Sequence, residues 1–168
     1  LESSTTQDRM LTYSQGFRRM EAVECAPHPR NIPIMPKKYA PTVLVVDDEA
    51  LIRWSLSEVL GERGYAVTEA GDGRAALAAI ARVAAPFDVV LLDYRLPDSA
   101  DLRLLERVRS LAPTSQIIMI TAHNSPELAQ GAAALGVYRV VSKPFEVESL
   151  AALVNQARID GSDGSDGS

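Results

Sequence analysis

The chain has 168 residues, 46% hydrophobic and 23% charged, which suits one soluble globular domain with flanking segments. A formal net charge of −5 argues against a general grip on nucleic acid, which needs a basic face. The single cysteine, Cys25, excludes an internal disulfide, and no apolar run or leader pattern suits a membrane span or a signal peptide, so a soluble cytoplasmic protein is expected.

Residues 1–40 lack sustained periodicity and carry Pro27, Pro29, Pro33 and Pro36 among polar residues, so they read as a flexible arm, in part engineered or processed. A short helix around Met10 to Val23, interrupted by Gly16, fits within it, and Met35 offers a natural start. At the other end, "DGSDGSDGS" repeats flexible and turn-forming residues, so 159–168 read as a linker or tail. The domain is therefore expected over 41–158.

Within it, short apolar runs alternate with stretches of helical spacing. Val43–Val46 is a predicted strand, followed by a helix over Glu49–Arg63 that Gly64 closes, with Trp54 on a packed face and Glu49 supporting its start. Tyr65–Glu69 is the second strand. Asp72 is positioned to cap an alanine-rich helix in which Leu77 and Ile80 share a face. Phe87–Leu92 is the third strand, Asp101–Leu111 a helix stopped before Pro113, and Gln116–Ile120 the fourth strand. Ser125–Leu135 is a helix with Pro126 suited to its first turn and Gly136 to its stop. Tyr138–Val141 is the last strand, with Tyr138 half-buried, and Glu146–Arg158 the last helix.

Five such strand–helix units predict an α/β fold with a parallel sheet covered on both faces. Right-handed crossovers bring every strand's carboxyl end to one edge, where such folds bind ligands. The chemistry collects there: Asp47 and Asp48 after the first strand, Asp93 after the third, Thr121 after the fourth and Lys143 after the fifth. Three carboxylates this close resist ionising together unless a cation joins them, and oxygen ligands alone suit Mg²⁺. Only two histidines are present, His28 and His123, and no histidine–cysteine set has zinc spacing. A metal-bound aspartate facing an amine and a hydroxyl suits phosphoryl transfer onto a carboxylate.

The motifs "VLVVDDE", "LLDYRLPD", "TA" and "SKPF" resemble those of a response-regulator receiver domain, the phosphoacceptor half of two-component signalling, over residues 42–158. The flavour is that of receivers attached to transcription activators with an ATPase domain. The resemblance implies a doubly wound, flavodoxin-like five-stranded sheet in the order 2-1-3-4-5. It also implies Asp93 as phosphoacceptor, and Mg²⁺ held by Asp48, Asp93, the Arg95 backbone carbonyl and, through water, Asp47. Thr121, the Ala122 backbone and Lys143 would meet the phosphoryl group, with the Lys143–Pro144 bond usually cis.

Implied partners are a sensor histidine kinase and a downstream output domain or protein, with a homodimer through the strand-four-to-helix-five face open and no direct nucleic-acid or membrane binding. The chain would be no enzyme beyond self-catalysed phosphorylation and dephosphorylation. Arg95 and His123 occupy positions that tune phosphoryl lifetime. Val140 departs from the family, which often has an aromatic switch residue there, and Asp101 stands where glycine is common. The alternative is a receiver-like interaction module that works without phosphorylation. A phosphohydrolase is disfavoured because Arg95 occupies the place of its second acid.

Overall fold

The computed structural model describes residues 39–163. The expected helix near Met10, the rest of the arm to residue 38 with Cys25 and His28, and residues 164–168 of the tail lie outside them. Five strands alternate with five helices: β1 (Thr42–Val46), α1 (Ala50–Glu62), β2 (Ala66–Ala70), α2 (Gly73–Arg82), β3 (Val89–Asp93), α3 (Arg103–Leu111), β4 (Gln116–Thr121), α4 (Pro126–Ala134), β5 (Arg139–Ser142) and α5 (Val147–Asp163). All strand pairs are parallel and the order is β2-β1-β3-β4-β5, as the resemblance implied.

The period-two geometry of a strand sorts the apolar runs into two cores. Leu44, Val46, Val90, Leu92, Ile117 and Met119 face one way, against Ile80, Leu105, Val108 and Ala132 of α2, α3 and α4. Val43, Val45, Val89, Leu91, Ile118 and Ile120 face the other, against Leu56 and Leu60 of α1 and Leu150 and Val154 of α5. Burial on both sides explains why these strands read as continuous apolar runs. The edge strands β2 and β5 are only partly buried.

Local signals set most boundaries. Asp72 caps α2 by accepting from Ala75 N at 2.7 Å. Ser125 caps α4 by accepting from Leu128 N at 3.2 Å, with Pro126 in the first turn. Gly64 and Gly136, at φ 86° and 74°, stop α1 and α4 in a conformation that disfavours a Cβ.

Three expectations differ. First, α5 continues past Arg158 to Asp163. One tertiary and one local contact support the extension: the Tyr138 hydroxyl donates to Asp160 Oδ2 at 2.5 Å, and Gln156 Nε2, one turn earlier in α5, to Oδ1 at 2.8 Å. Second, Trp54 is 58% exposed rather than packed, because Leu56 and Leu60 supply the buried side of α1. Third, α3 begins at Arg103, after Asp101 Oδ1 accepts from Arg103 N at 2.9 Å. The glycine-like position is thus used as a side-chain acceptor of a turn. Among the described residues, no helix is long and apolar enough to cross a membrane.

Candidate functional site

The carboxyl edge of the sheet gathers residues far apart in sequence. Backbone pairing places the ends of β1, β3, β4 and β5 side by side, with Val46 opposite Leu92, Asp93 opposite Ile120, and Thr121 opposite Ser142. One carboxylate oxygen from each of Asp47, Asp48 and Asp93 lies within 4.8 Å of the others. Asp47 and Asp93 are buried whereas Asp48 is exposed, so the cluster has a buried floor and a solvent-facing rim.

Lys143 enters from beyond β5 and neutralises the floor. Its ammonium is 2.6 Å from Asp93 Oδ2, 2.8 Å from Asp47 Oδ2 and 3.0 Å from Glu49 Oε1. Desolvation works to lower its pKa, but the close Asp47 carboxylate and the hydrogen bonds to Asp93 and Glu49 outweigh it and hold the group above its ordinary 10.5. Lys143 therefore stays charged throughout the neutral range. The Lys143–Pro144 bond that follows is cis.

Asp47 shows the cost of the arrangement. Burial raises its pKa, against the lowering pull of Lys143 and of the Glu49 N–H, which donates to Oδ1 at 2.8 Å. The ammonium is at ion-pair distance from Asp47 Oδ2, yet its direction makes no hydrogen bond, and that buried oxygen has none. A buried carboxylate oxygen without a donor, inside an all-oxygen cluster, fits a hard divalent cation such as Mg²⁺. Asp93 Oδ1 accepts from Arg95 N at 2.9 Å, which folds the chain tightly after β3.

Thr121 is buried at the end of β4, and its hydroxyl is engaged locally. It donates to the His123 carbonyl at 3.0 Å and accepts from His123 N at 3.2 Å. Ala122 and His123 are exposed. Val140 is half-buried against the α2–α4 side of the sheet, while Tyr138 packs on the α1–α5 side and holds Asp160. The tyrosine two residues earlier therefore does not stand in for the missing aromatic at Val140.

Sequence reasoning missed three participants. Glu49 was expected only to start α1, but its side chain makes no cap and instead binds Lys143. Arg53 Nη1 donates to the Asp47 carbonyl at 2.6 Å, and its Nε pairs with Glu69 Oε2 at 3.6 Å. Asp98 accepts from Gly73 N at 2.8 Å and Arg74 N at 2.9 Å, tying the segment after β3 to the start of α2. The Gly73 bond, helped by the Arg74 bond and opposed by burial, lowers the Asp98 pKa. Only Glu49, adjacent to the paired acids, carried a signal that spacing could have flagged.

A groove of about 490 Å³ lined by Leu51, Ile52, Pro144 and Phe145 opens beside Glu49 and Lys143. A second, of about 870 Å³, lies away from the acids between α2, α3 and the segment after β3.

A family model for the response regulator receiver domain matches residues 43–155. The chain is 36% identical over 115 residues to the DNA-binding transcriptional regulator NtrC of Salmonella typhimurium, covering 68% of this chain and 24% of that protein. It is 40% identical over 109 residues to the probable transcriptional regulatory protein TcrX of Mycobacterium tuberculosis, covering 65% and 46%. The chain thus spans only about a quarter to a half of these two relatives. Among solved structures, it resembles a CheY-like receiver domain protein from Methanospirillum hungatei, with TM-score 0.70 and 27% identity over 74% of this chain and 98% of that one. It also resembles the chemotaxis protein CheY4 of Vibrio cholerae, with TM-score 0.64 and 34% identity over 70% and 98%. The sheet order, the acidic edge and these similarities agree, and the chain belongs to the family of response regulator receiver domains.

Proposed function

We propose that Asp93 is the phosphoacceptor of a two-component switch, phosphorylated by a sensor histidine kinase in a Mg²⁺-dependent reaction. The observation that carries this reading is the convergence of three carboxylates with the Lys143 ammonium, 2.6 Å from Asp93. Asp48, Asp93 and the Arg95 carbonyl would hold the ion directly and Asp47 through water. When bound, Mg²⁺ supplies positive charge against the oxygens of the group in transfer.

The chain's own residues do the rest. A carboxylate oxygen of Asp93 forms a bond to phosphorus as the phosphorus–nitrogen bond of phosphohistidine breaks, and the electron pair of that bond leaves with the imidazole. Lys143, already charged and beside Asp93, neutralises the incoming oxygens. Thr121 releases the His123 carbonyl and turns its hydroxyl to a phosphoryl oxygen, with the Ala122 N–H as a second donor. The product adds about −1.5 to −2 charges at this edge, enough to reorganise the segment after β4. That change alters the β4-to-α5 face, through which the domain meets an output domain, a downstream protein or a second copy. The exposed Leu51, which lines the groove at Lys143, suits docking of the kinase. Apart from gaining and losing its own phosphoryl group, the chain turns over no substrate; Arg95 supplies no acid where a phosphohydrolase needs one.

Beryllofluoride with Mg²⁺, read by amide NMR and by phosphorylation with acetyl phosphate, tests the proposal. Saturable binding that Asp93→Asn abolishes supports it. Absence of binding in the parent, or an unchanged response in the variant, overturns it.

A further inference from the structure

The Glu49 side chain makes no helix-capping hydrogen bond, and its carboxylate has one partner among the described residues, Lys143 Nζ at 3.0 Å. Its backbone is pinned: its N–H donates to Asp47 Oδ1 at 2.8 Å and its carbonyl accepts from Arg53 N at 3.1 Å. The side chain projects from that fixed point to the rim, 59% exposed, whereas Lys143 is only 16% exposed. Of the three carboxylates around the ammonium, Asp47 and Asp93 belong to the cation cluster and Glu49 does not.

A divalent cation at Asp47, Asp48 and Asp93 competes with Lys143 for two of its three partners, and repels it as a like charge. The ammonium then withdraws, and among the described residues the one paired acid outside the cluster that is left to it is Glu49. We propose that Glu49 is a positioning residue for Lys143: it retains the ammonium when the cation displaces it from Asp47 and Asp93. It thereby makes the cation easier to admit and keeps the lysine beside the acceptor. This inference rests on the Mg²⁺ reading above.

The test is a Mg²⁺ titration of the described domain within the full chain, followed by amide NMR, for the parent, Glu49→Gln, Glu49→Asp, Lys143→Ala and the Lys143→Ala/Glu49→Gln pair. Outer-sphere partners of metal ligands commonly change affinity by 10–100-fold, and Glu49→Gln is expected to weaken Mg²⁺ about tenfold. Glu49→Asp keeps the charge but shortens the reach, and is expected to weaken Mg²⁺ as well. In the Lys143→Ala background the Glu49→Gln effect is expected to disappear. If Glu49→Gln binds Mg²⁺ like the parent, the inference fails while the Mg²⁺ reading stands. It also fails if the effect persists without Lys143, or if Glu49→Asp behaves like the parent, since Glu49 then acts only through its field. If the parent itself binds no Mg²⁺, both readings fall. An intact amide spectrum in each variant verifies the fold.

Discussion

The two segments that leave the acidic edge, residues 94–102 after β3 and residues 122–125 after β4, are built differently. The first is cross-tied along its length. Tyr94 N donates to the Ile120 carbonyl at 2.8 Å, Leu96 and Ser99 exchange both backbone hydrogen bonds, Asp98 takes two N–H groups of α2, and Asp101 holds the start of α3. Leu96 is buried beneath it. The second has the Thr121–His123 exchange and the Ser125 cap, and all four of its residues are exposed. Segments with few buried contacts and solvent-exposed backbone open at the least cost. The lesson is a division of labour: one segment holds Asp93 and the Arg95 carbonyl still, and the other can yield, as the proposed phosphorylation of Asp93 would require.

The sharpest way to break this comparison is to load the site. With beryllofluoride and Mg²⁺, amide shifts should be large at residues 122–125 and small at 94–102, and Asp93→Asn should abolish both. Equal displacement of the two segments would end the contrast.

Next in size is Asp98→Ala. Removing a side-chain acceptor at a helix start costs about 1–2 kcal/mol, measured by urea unfolding at neutral pH. The folded pKa of Asp98 lies below its ordinary 3.8, so its contribution is present above that value and is lost as pH falls through the depressed one. The deficit of Asp98→Ala should shrink accordingly in acid. A variant as stable as the parent at pH 7 would mean that the tether does not hold the first segment.

Asp47→Asn should act in the opposite direction and stabilise the fold at neutral pH, because asparagine has no charge to desolvate. Burial raises the folded pKa of Asp47 above 3.8, so its favourable contribution is complete below 3.8 and is lost as pH rises through the raised value. The gain from the variant should therefore vanish in acid and grow with pH; thermal melts across that range would show a flat difference if burial is not the cause. The smallest effect belongs to His123→Ala, within about 0.5 kcal/mol of the parent, because Thr121 uses only the main chain of residue 123. A larger loss in calorimetry would reveal a side-chain anchor in the second segment.

Much of this site was legible before folding was considered. Apolar runs ending in Asp47, Asp93 and Thr121 can lie only on a buried parallel sheet, whose geometry sends their ends to one edge. Asp72, Ser125, Gly64 and Gly136 mark helix limits through forces that act within a few residues. What spacing missed depends on contacts between distant segments. Asp98 meets α2 across 25 positions, Lys143 reaches Glu49 across 94, and Asp160 lengthens α5 through Tyr138.

The sequence by itself determined the order of elements, the two-sided core and the list of acids at the edge, because hydrophobic period and turn chemistry are local. Tertiary structure alone decided which charges meet. It buried Asp47 and left Asp48 exposed, put Trp54 in solvent, and gave the side chain of Glu49, at the start of α1, Lys143 as its partner. Electrostatic pairing depends on distance and desolvation, and neither exists until the strands are side by side.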